Sequence, residues 1–242
     1  MRKDEAMSSE NGEVIRATDV TKIYRVGEVE VPALRSVSLT IRRGEFTAIA
    51  GPSGSGKTTL LNILSGLDRP TSGEVRLAGI AVHEMSGREL SDFRRDHIGF
   101  IFQSYNLIPV LTVQENIEYI MLLQGVPSAE RRRRVAEILA AVGLEGMEDR
   151  RPKQLSGGQQ QRVAVARAMV SQPDLILADE PTANLDSATG AALLDMMREL
   201  NETRGMTFLF STHDQMIMER ARRLVVLKDG QIAADDVREP VP

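Results

Sequence analysis

The sequence predicts an α/β domain with a mostly parallel sheet, an N-terminal antiparallel β region and a helical insert. Three observations predict it. Short apolar runs, "FTAIA" (46–50), "LILAD" (175–179), "TFLF" (207–210) and "LVVL" (224–227), alternate with helical or turn segments, as strands buried on both faces do. Near the N-terminus the pattern instead alternates apolar and polar residues, the mark of a half-buried strand. Between about Asp92 and Met169 helical spacing dominates.

In chain order, residues 1–12 are polar and read as disordered. Residues 13–91 and 170–242 read as one core, and 92–169 as a helical subdomain. "LRSVSLTI" (34–41) is the alternating strand, and "FTAIA" is a buried strand ending at Gly51. "TLLNILSGL" (59–67) has helical spacing, whereas "GEVRLAG" (73–79) reads as a strand bounded by turns and "IGFIF" (98–102) as another. "SAERRRRVAEILAAVG" (128–143) is a marked helix. Ser128 is placed to cap it, Val135, Ile138, Leu139 and Val142 share one face, and Gly143 stops it.

Composition narrows the function. A chain of 242 residues with 42% hydrophobic content can bury a good core. A net charge of -4 with mixed signs argues against a dedicated nucleic-acid partner. The absence of cysteine removes disulfides, thiolate metal sites and Cys nucleophiles. The N-terminus lacks the apolar core of a secretory signal, and no run approaches the roughly 18 apolar residues of a membrane span. The expectation is therefore a soluble chain, peripheral if it serves a membrane.

"GPSGSGKTT" (51–59) matches the G-x-x-x-x-G-K-[ST] phosphate loop, between a predicted strand and a predicted helix. Gly51, Gly54 and Gly56 let backbone N–H groups turn inward around phosphates, with Ser53, Ser55 and Thr59 completing the loop. The helix N-terminus adds partial positive charge. Lys57 can reach the β- and γ-phosphates, and the Thr58 hydroxyl can ligate Mg²⁺. A flexible loop with a solvated lysine is the alternative; the strand–loop–helix setting disfavours it.

"LILADEP" puts Asp179 and Glu180 at a strand end, facing the crevice where α/β proteins bind ligands. Asp179 suits Mg²⁺ binding, and Glu180 suits proton acceptance from an attacking water. An N-K-x-D guanine-reading motif is absent from the sequence.

"LSGGQ" (155–159) raises the question of a second glycine loop in one chain. With the phosphate loop, Gln103 after "IGFIF", "LILADE", "NLD" (184–186) and "STHD" around His213, it appears in the order found in ATP-binding cassette ATPases. The chain resembles that family from about Val14 to Ile232. The resemblance implies a head-to-tail homodimer enclosing two ATP. Ser156, Gly157, Gly158 and Gln159 of one copy would complete the phosphate site of the other. In isolation, the pentapeptide would rather be read as a Ser-capped glycine start to a helix.

The resemblance also implies that Tyr24 stacks on adenine, although an ordinary strand aromatic is the alternative. It assigns Gln103 to Mg²⁺ and the attacking water, Asp186 to the dimer seam, and His213 to the γ-phosphate. Ala183 stands where relatives often carry glycine, with little consequence expected. The catalytic set is thus Glu180, His213 and Gln103. Thr58, Gln103 and Asp179 are the metal set, and ATP and Mg²⁺ the implied cofactors.

A membrane permease subunit is the implied second partner. It would contact the region after Gln103 through Leu107, Ile108, Val110 and Leu111, residues that could equally be core. "NILSGLDRPTSGEV" and "IGFIFQSYNLIPVLTVQENI" look most like the lipoprotein-releasing and macrolide-efflux group. A cell-division member, an amino-acid importer ATPase, and a soluble cassette ATPase acting on ribosomes or DNA stay open, as does a module that binds without hydrolysing. The implied location is cytoplasmic, at the inner face of the cell membrane. His83, His97, "RRRR" (131–134) and the methionines at 196, 197, 206, 216 and 218 read as surface or core, not as sites.

Overall fold

The computed structural model describes residues 12–238, so the expected disordered N-terminus lies, apart from Gly12, outside the described residues. Strands β1 (Glu13–Val26) and β2 (Val29–Arg42) pair antiparallel, and β3 (Phe46–Ala50) follows. Helix α1 (Lys57–Leu64) leads into β4 (Ser72–Leu77) and β5 (Ile80–Ala81). Then come α2 (Gly87–His97), β6 (Ile98–Ile101), α3 (Val113–Leu123), α4 (Ser128–Ala141) and α5 (Gly157–Met169). The chain closes with β7 (Leu175–Asp179), α6 (Ser187–Arg204), β8 (Phe208–Thr212), α7 (Gln215–Arg220), β9 (Arg223–Lys228) and β10 (Gln231–Val237).

These strands form two sheets. One is four-stranded and antiparallel, in the order β2-β1-β4-β5; the other is six-stranded, in the order β10-β9-β3-β8-β7-β6. In the second, β3, β6, β7, β8 and β9 run parallel and only β10 is reversed. The predicted mixed architecture is therefore present.

The period of two in each buried strand builds a core on both faces of the six-stranded sheet. Phe46, Ala48, Ile176, Ala178, Phe208 and Phe210 face the cluster that includes residues of α3, α4, α5 and α6. Ile49, Leu175, Leu177 and Leu209 face the cluster shared with α1 and the antiparallel sheet. The rings of Phe46 and Phe210 meet at 4.7 Å between centroids in a tilted pair, the geometry that aromatic quadrupoles favour. Parallel strands in register put their C-terminal ends on one edge, so the residues after β3, β7 and β8 lie side by side.

Several local expectations are corrected. The helix expected over 59–67 stops at Leu64, because Gly66 adopts φ 68 and turns the chain out. Ser128 does not cap α4: Pro127 occupies the cap position without a side-chain bond, and the Ser128 hydroxyl accepts from Arg132 at 3.0 Å. The apolar face of that helix is as predicted, with Val135, Ile138, Leu139 and Val142 all buried. β6, which the sequence groups with the helical insert, is a strand of the six-stranded sheet, paired with β7. In the "RRRR" run, Arg131, Arg133 and Arg134 are ion-paired to Glu118, Glu130 and Glu137, while Arg132 donates to the Ser128 hydroxyl, so most of the run's charge is paired within the chain. His97 has a partner that the sequence did not show, with its Nδ1 2.6 Å from Asp174 Oδ2.

Candidate active site

The six residues from Gly51 to Gly56 join β3 to α1. A Cβ at Gly51 would lie 2.1 Å from the Leu227 carbonyl oxygen, and one at Gly56 2.5 Å from that of Ala33. No side chain fits at either place, so the loop must be bare backbone there. The Lys57 Nζ donates to the carbonyls of Gly51 (2.7 Å) and Pro52 (3.0 Å), folded into its own loop. Gly56 caps α1 without a side-chain bond, which leaves first-turn N–H groups for an anion. The Ser55 hydroxyl is buried with no hydrogen-bond partner. Ser53, Gly54 and Thr58 are exposed, and Thr59 is half-buried. A cation, uncapped N–H groups, an unpartnered hydroxyl and a cradle closed to side chains all fit phosphate oxygens.

Asp179 and Glu180 end β7, beside β8. Glu180 has φ 47, in the left-handed region that non-glycine residues avoid. Such strain costs on the order of 1–3 kcal/mol and persists where surroundings impose it. Here they do. The Glu180 N–H donates to the Ser211 carbonyl (2.9 Å), and its carboxylate accepts from the Thr212 hydroxyl (3.1 Å) and the His213 N–H (3.1 Å). His213 Nδ1 lies 2.6 Å from Glu180 Oε1, while the His213 ring is largely exposed.

Burial raises the Asp179 carboxyl above the usual carboxylate range; the adjacent Glu180 carboxylate adds to this, while Lys57 opposes it. A raised folded-state pKa means that the ionised form destabilises the fold at pH above it, and that this penalty disappears as pH falls through it. Asp179→Asn is accordingly expected to raise the melting temperature of the nucleotide-free chain at neutral pH, with the gain shrinking on acidification. Thermal melts across pH check this; an unchanged or lower melting temperature at neutral pH contradicts it.

The signature turn stands elsewhere. Ser156 caps α5 in a reciprocal box, its hydroxyl accepting from the Gln159 N–H (3.3 Å) and its own N–H donating to the Gln159 side chain (2.9 Å). A Cβ at Gly157 would come 3.0 Å from the Tyr105 hydroxyl. Helix α5 packs on β6, three strands from β3, a separation of ~14 Å at the spacing of neighbouring strands. The two glycine loops of one chain are thus not brought together. Asp186 caps α6 through Thr189 (2.9 Å to its N–H), and those bonds hold its carboxyl below the usual range.

Gln103 is exposed, and its backbone carbonyl accepts from the Asn184 side chain at 2.8 Å. The next residues are unusual: Tyr105 and Asn106 both have positive φ, 58 and 49. Arg167 on α5 holds them, donating to the carbonyls of Asn106 (2.5 Å) and Tyr105 (2.9 Å). Sequence reasoning missed Arg167, and it quoted Asn184 and Thr212 within "NLD" and "STHD" without giving them these bracing roles. The strained loop is held by a half-buried multi-donor side chain, but nothing in one sequence tells which arginine serves. Tyr24, on β1, is the most distant candidate in sequence; its hydroxyl donates to Asp68 at 2.8 Å.

A phosphate cradle after the first strand of a parallel sheet, with a braced carboxylate two strands away, defines a P-loop nucleotide hydrolase domain. The model of the family described as ABC transporter matches residues 34–183. An uncharacterized ABC transporter ATP-binding protein of Thermotoga maritima is 51% identical over 219 residues, 90% of this chain and 93% of that one. The macrolide export ATP-binding/permease protein MacB of Brucella melitensis is 46% identical over 228 residues, which span 94% of this chain but 35% of that protein. Among solved structures, the ATP-binding cassette MJ0796 of Methanocaldococcus jannaschii, in a dimeric post-hydrolysis state bound to ADP and Pi, superposes with a TM-score of 0.85 at 44% identity, covering 94% of this chain and 100% of that one. The chain belongs to the ABC transporter family, and it is an ATP-binding, ATP-hydrolysing cassette of that family.

Proposed function

We propose that two copies close head to tail over two ATP molecules and that closure drives a membrane permease of the lipoprotein-release or macrolide-efflux type. The observation that carries this is the separation of two anion-suited loops on one chain. Lys57 and the Gly51–Gly56 cradle sit on β3, whereas Ser156 lies toward β6, so each needs a facing copy to complete it. The dimeric state of the MJ0796 cassette and the permease joined to the cassette in MacB support the reading.

In this mechanism Lys57 exchanges its loop carbonyls for the β- and γ-phosphate oxygens, and the α1 N-terminus adds N–H donors. Glu180 accepts the proton of the attacking water. His213, fixed by that carboxylate, turns its exposed ring toward the γ-phosphate. Gln103 orients the water, Tyr24 stacks on the base, and Asp186 lines the seam. The Ser156 hydroxyl, Gly157, Gly158 and Gln159 meet the phosphate of the opposite copy. Thr58, Gln103 and Asp179 would hold Mg²⁺, which supplies charge neutralisation at the phosphates. Positioning and charge stabilisation are most of what phosphoryl transfer requires. The helical region 92–169, apart from β6, is the part proposed to move with closure.

No helix among the described residues is long and apolar enough to cross a membrane, so attachment there would come from a surface. An apolar groove of about 240 Å³ is lined by Phe100, Phe102, Ile108, Tyr119 and Ile120. Val110, two residues after Ile108 in the chain, is 73% exposed, while Leu107 packs on the core. This groove is the proposed permease contact, at the cytoplasmic face of the membrane.

Fractionation of cells tests it. The chain is expected in the membrane fraction, and Ile108→Asp with Val110→Asp is expected to release most of it while ATP turnover of the purified chain stays within about twofold, as surface changes usually allow. Recovery of the parent chain with ribosomes or nucleic acid instead would favour the soluble-cassette alternative and overturn the proposal.

A further inference from the structure

Around Tyr24 the structure shows a set of contacts that the nucleotide-binding motifs do not account for. Asp68, in the segment after α1, uses both carboxylate oxygens. Oδ2 accepts from the Tyr24 hydroxyl at 2.8 Å, and Oδ1 accepts from Lys22 Nζ at 2.7 Å and from the Arg69 N–H at 2.7 Å. Lys22 Nζ also donates to the Arg69 carbonyl (2.8 Å) and sits 4.8 Å from the centroid of the Tyr24 ring. The backbone is pinned in the same place: the Ile23 N–H donates to the Thr71 hydroxyl (3.0 Å), and the Thr71 N–H to the Thr21 carbonyl (2.8 Å).

The Lys22 side chain is 13% exposed and that of Asp68 31%, so the ion pair is partly withdrawn from water. Tyr24 remains 37% exposed. A half-exposed tyrosine on a strand ordinarily samples several χ1 wells. Here its hydroxyl is tied to a carboxylate that is itself held by a lysine and a backbone N–H, and the lysine rests against the ring. One χ1 well is thereby selected before any ligand arrives.

We propose that Asp68, with Lys22, is a positioning residue that pre-orients the Tyr24 ring to receive the base. It sets nucleotide affinity without touching the reacting phosphate. The inference rests on the reading of Tyr24 as the base contact. Its physical basis is pre-organisation: a ring already fixed in the stacking pose loses no rotamer freedom on binding. Asp68 lies four residues past the end of α1, and its N–H donates to the Asn62 carbonyl of that helix (3.0 Å), which ties the base platform to the helix that begins at Lys57.

The test is ATP turnover and equilibrium Mg-ATP binding by the full chain in four variants: Tyr24→Phe, Asp68→Ala, the double variant, and Asp68→Asn. The loss of one partly exposed hydrogen bond corresponds to about a two- to tenfold change. Tyr24→Phe and Asp68→Ala are each expected to raise KM and Kd by about that factor, with kcat changed less than twofold. The double variant is expected to be no worse than the poorer single one, because both remove the same link. Asp68→Asn keeps an acceptor for the hydroxyl and is expected to recover part of the loss.

Unchanged affinity in Asp68→Ala, additive losses in the double variant, or a fall in kcat at constant KM would each overturn the proposal. Tyr24→Ala separates the two layers. If it weakens Mg-ATP binding while Asp68→Ala does not, the base contact stands and the positioning role fails. If it leaves binding unchanged, both fail. Should Asp68→Ala not fold, Tyr24→Phe, which removes a single hydroxyl, still decides the matter.

Discussion

Glu180→Gln is expected to lower ATP turnover by about 10²- to 10⁴-fold, the usual contribution of a positioned general base, while Mg-ATP binding survives. The substitution is nearly isosteric. The glutamine carbonyl can still accept from the His213 N–H, its NH2 can donate to the Thr212 hydroxyl oxygen in place of the bond that hydroxyl now donates, and the Glu180 N–H bond to Ser211 is untouched, so the strained turn at φ 47 stays supported. What is lost is proton affinity. With hydrolysis slowed, the closed state accumulates, and light scattering at saturating Mg-ATP is expected to report twice the monomer mass. Two outcomes would count against the assignment: turnover within tenfold of the parent, or a monomer throughout. The first removes Glu180 as base; the second removes the composite site.

Ser156→Arg is the second large effect. In the free chain the position is exposed and caps α5, so the variant folds with the loss of one cap, about 1 kcal/mol. In a closed dimer the same position would meet the partner's phosphate loop. There the added bulk separates the copies, and an unpaired buried charge beside the partner's Lys57 costs roughly 3–5 kcal/mol. Turnover is therefore expected to fall at least about a hundredfold, with nucleotide affinity of the monomer changed less than about threefold, since Ser156 starts the helix that packs on β6, three strands from the β3 that leads into the phosphate loop. Turnover at the parent rate would show that Ser156 plays no part in hydrolysis.

Much of the fold was legible because its strands are buried on both faces and so read as uninterrupted apolar runs. "FTAIA" and "LILAD" coincide with β3 and β7. Turn chemistry was harder to read. Ser128 looked like a cap, but the preceding Pro127 has an extended backbone that already starts the helix one residue earlier. β6 was grouped with the helices around it, because sheet membership depends on a partner 77 residues away, as the Ile98–Leu175 pairing shows.

The motif residues of the site carry a pattern in one sequence, and their supports do not. Glu180 announces itself after four apolar residues, whereas Thr212 becomes its partner only when β8 is laid beside β7. Asp68 and Arg167 are ordinary surface types by composition. Only the tertiary fold gives one a tyrosine to hold and the other a strained loop.

The inward fold of Lys57 onto the carbonyls of Gly51 and Pro52 has one more effect. The ammonium group is held in place by two carbonyl dipoles of its own loop, which offset part of its charge without removing it. On the proposed reading, arrival of a triphosphate is then a swap of one set of oxygens for another, and departure of the diphosphate would restore the first set.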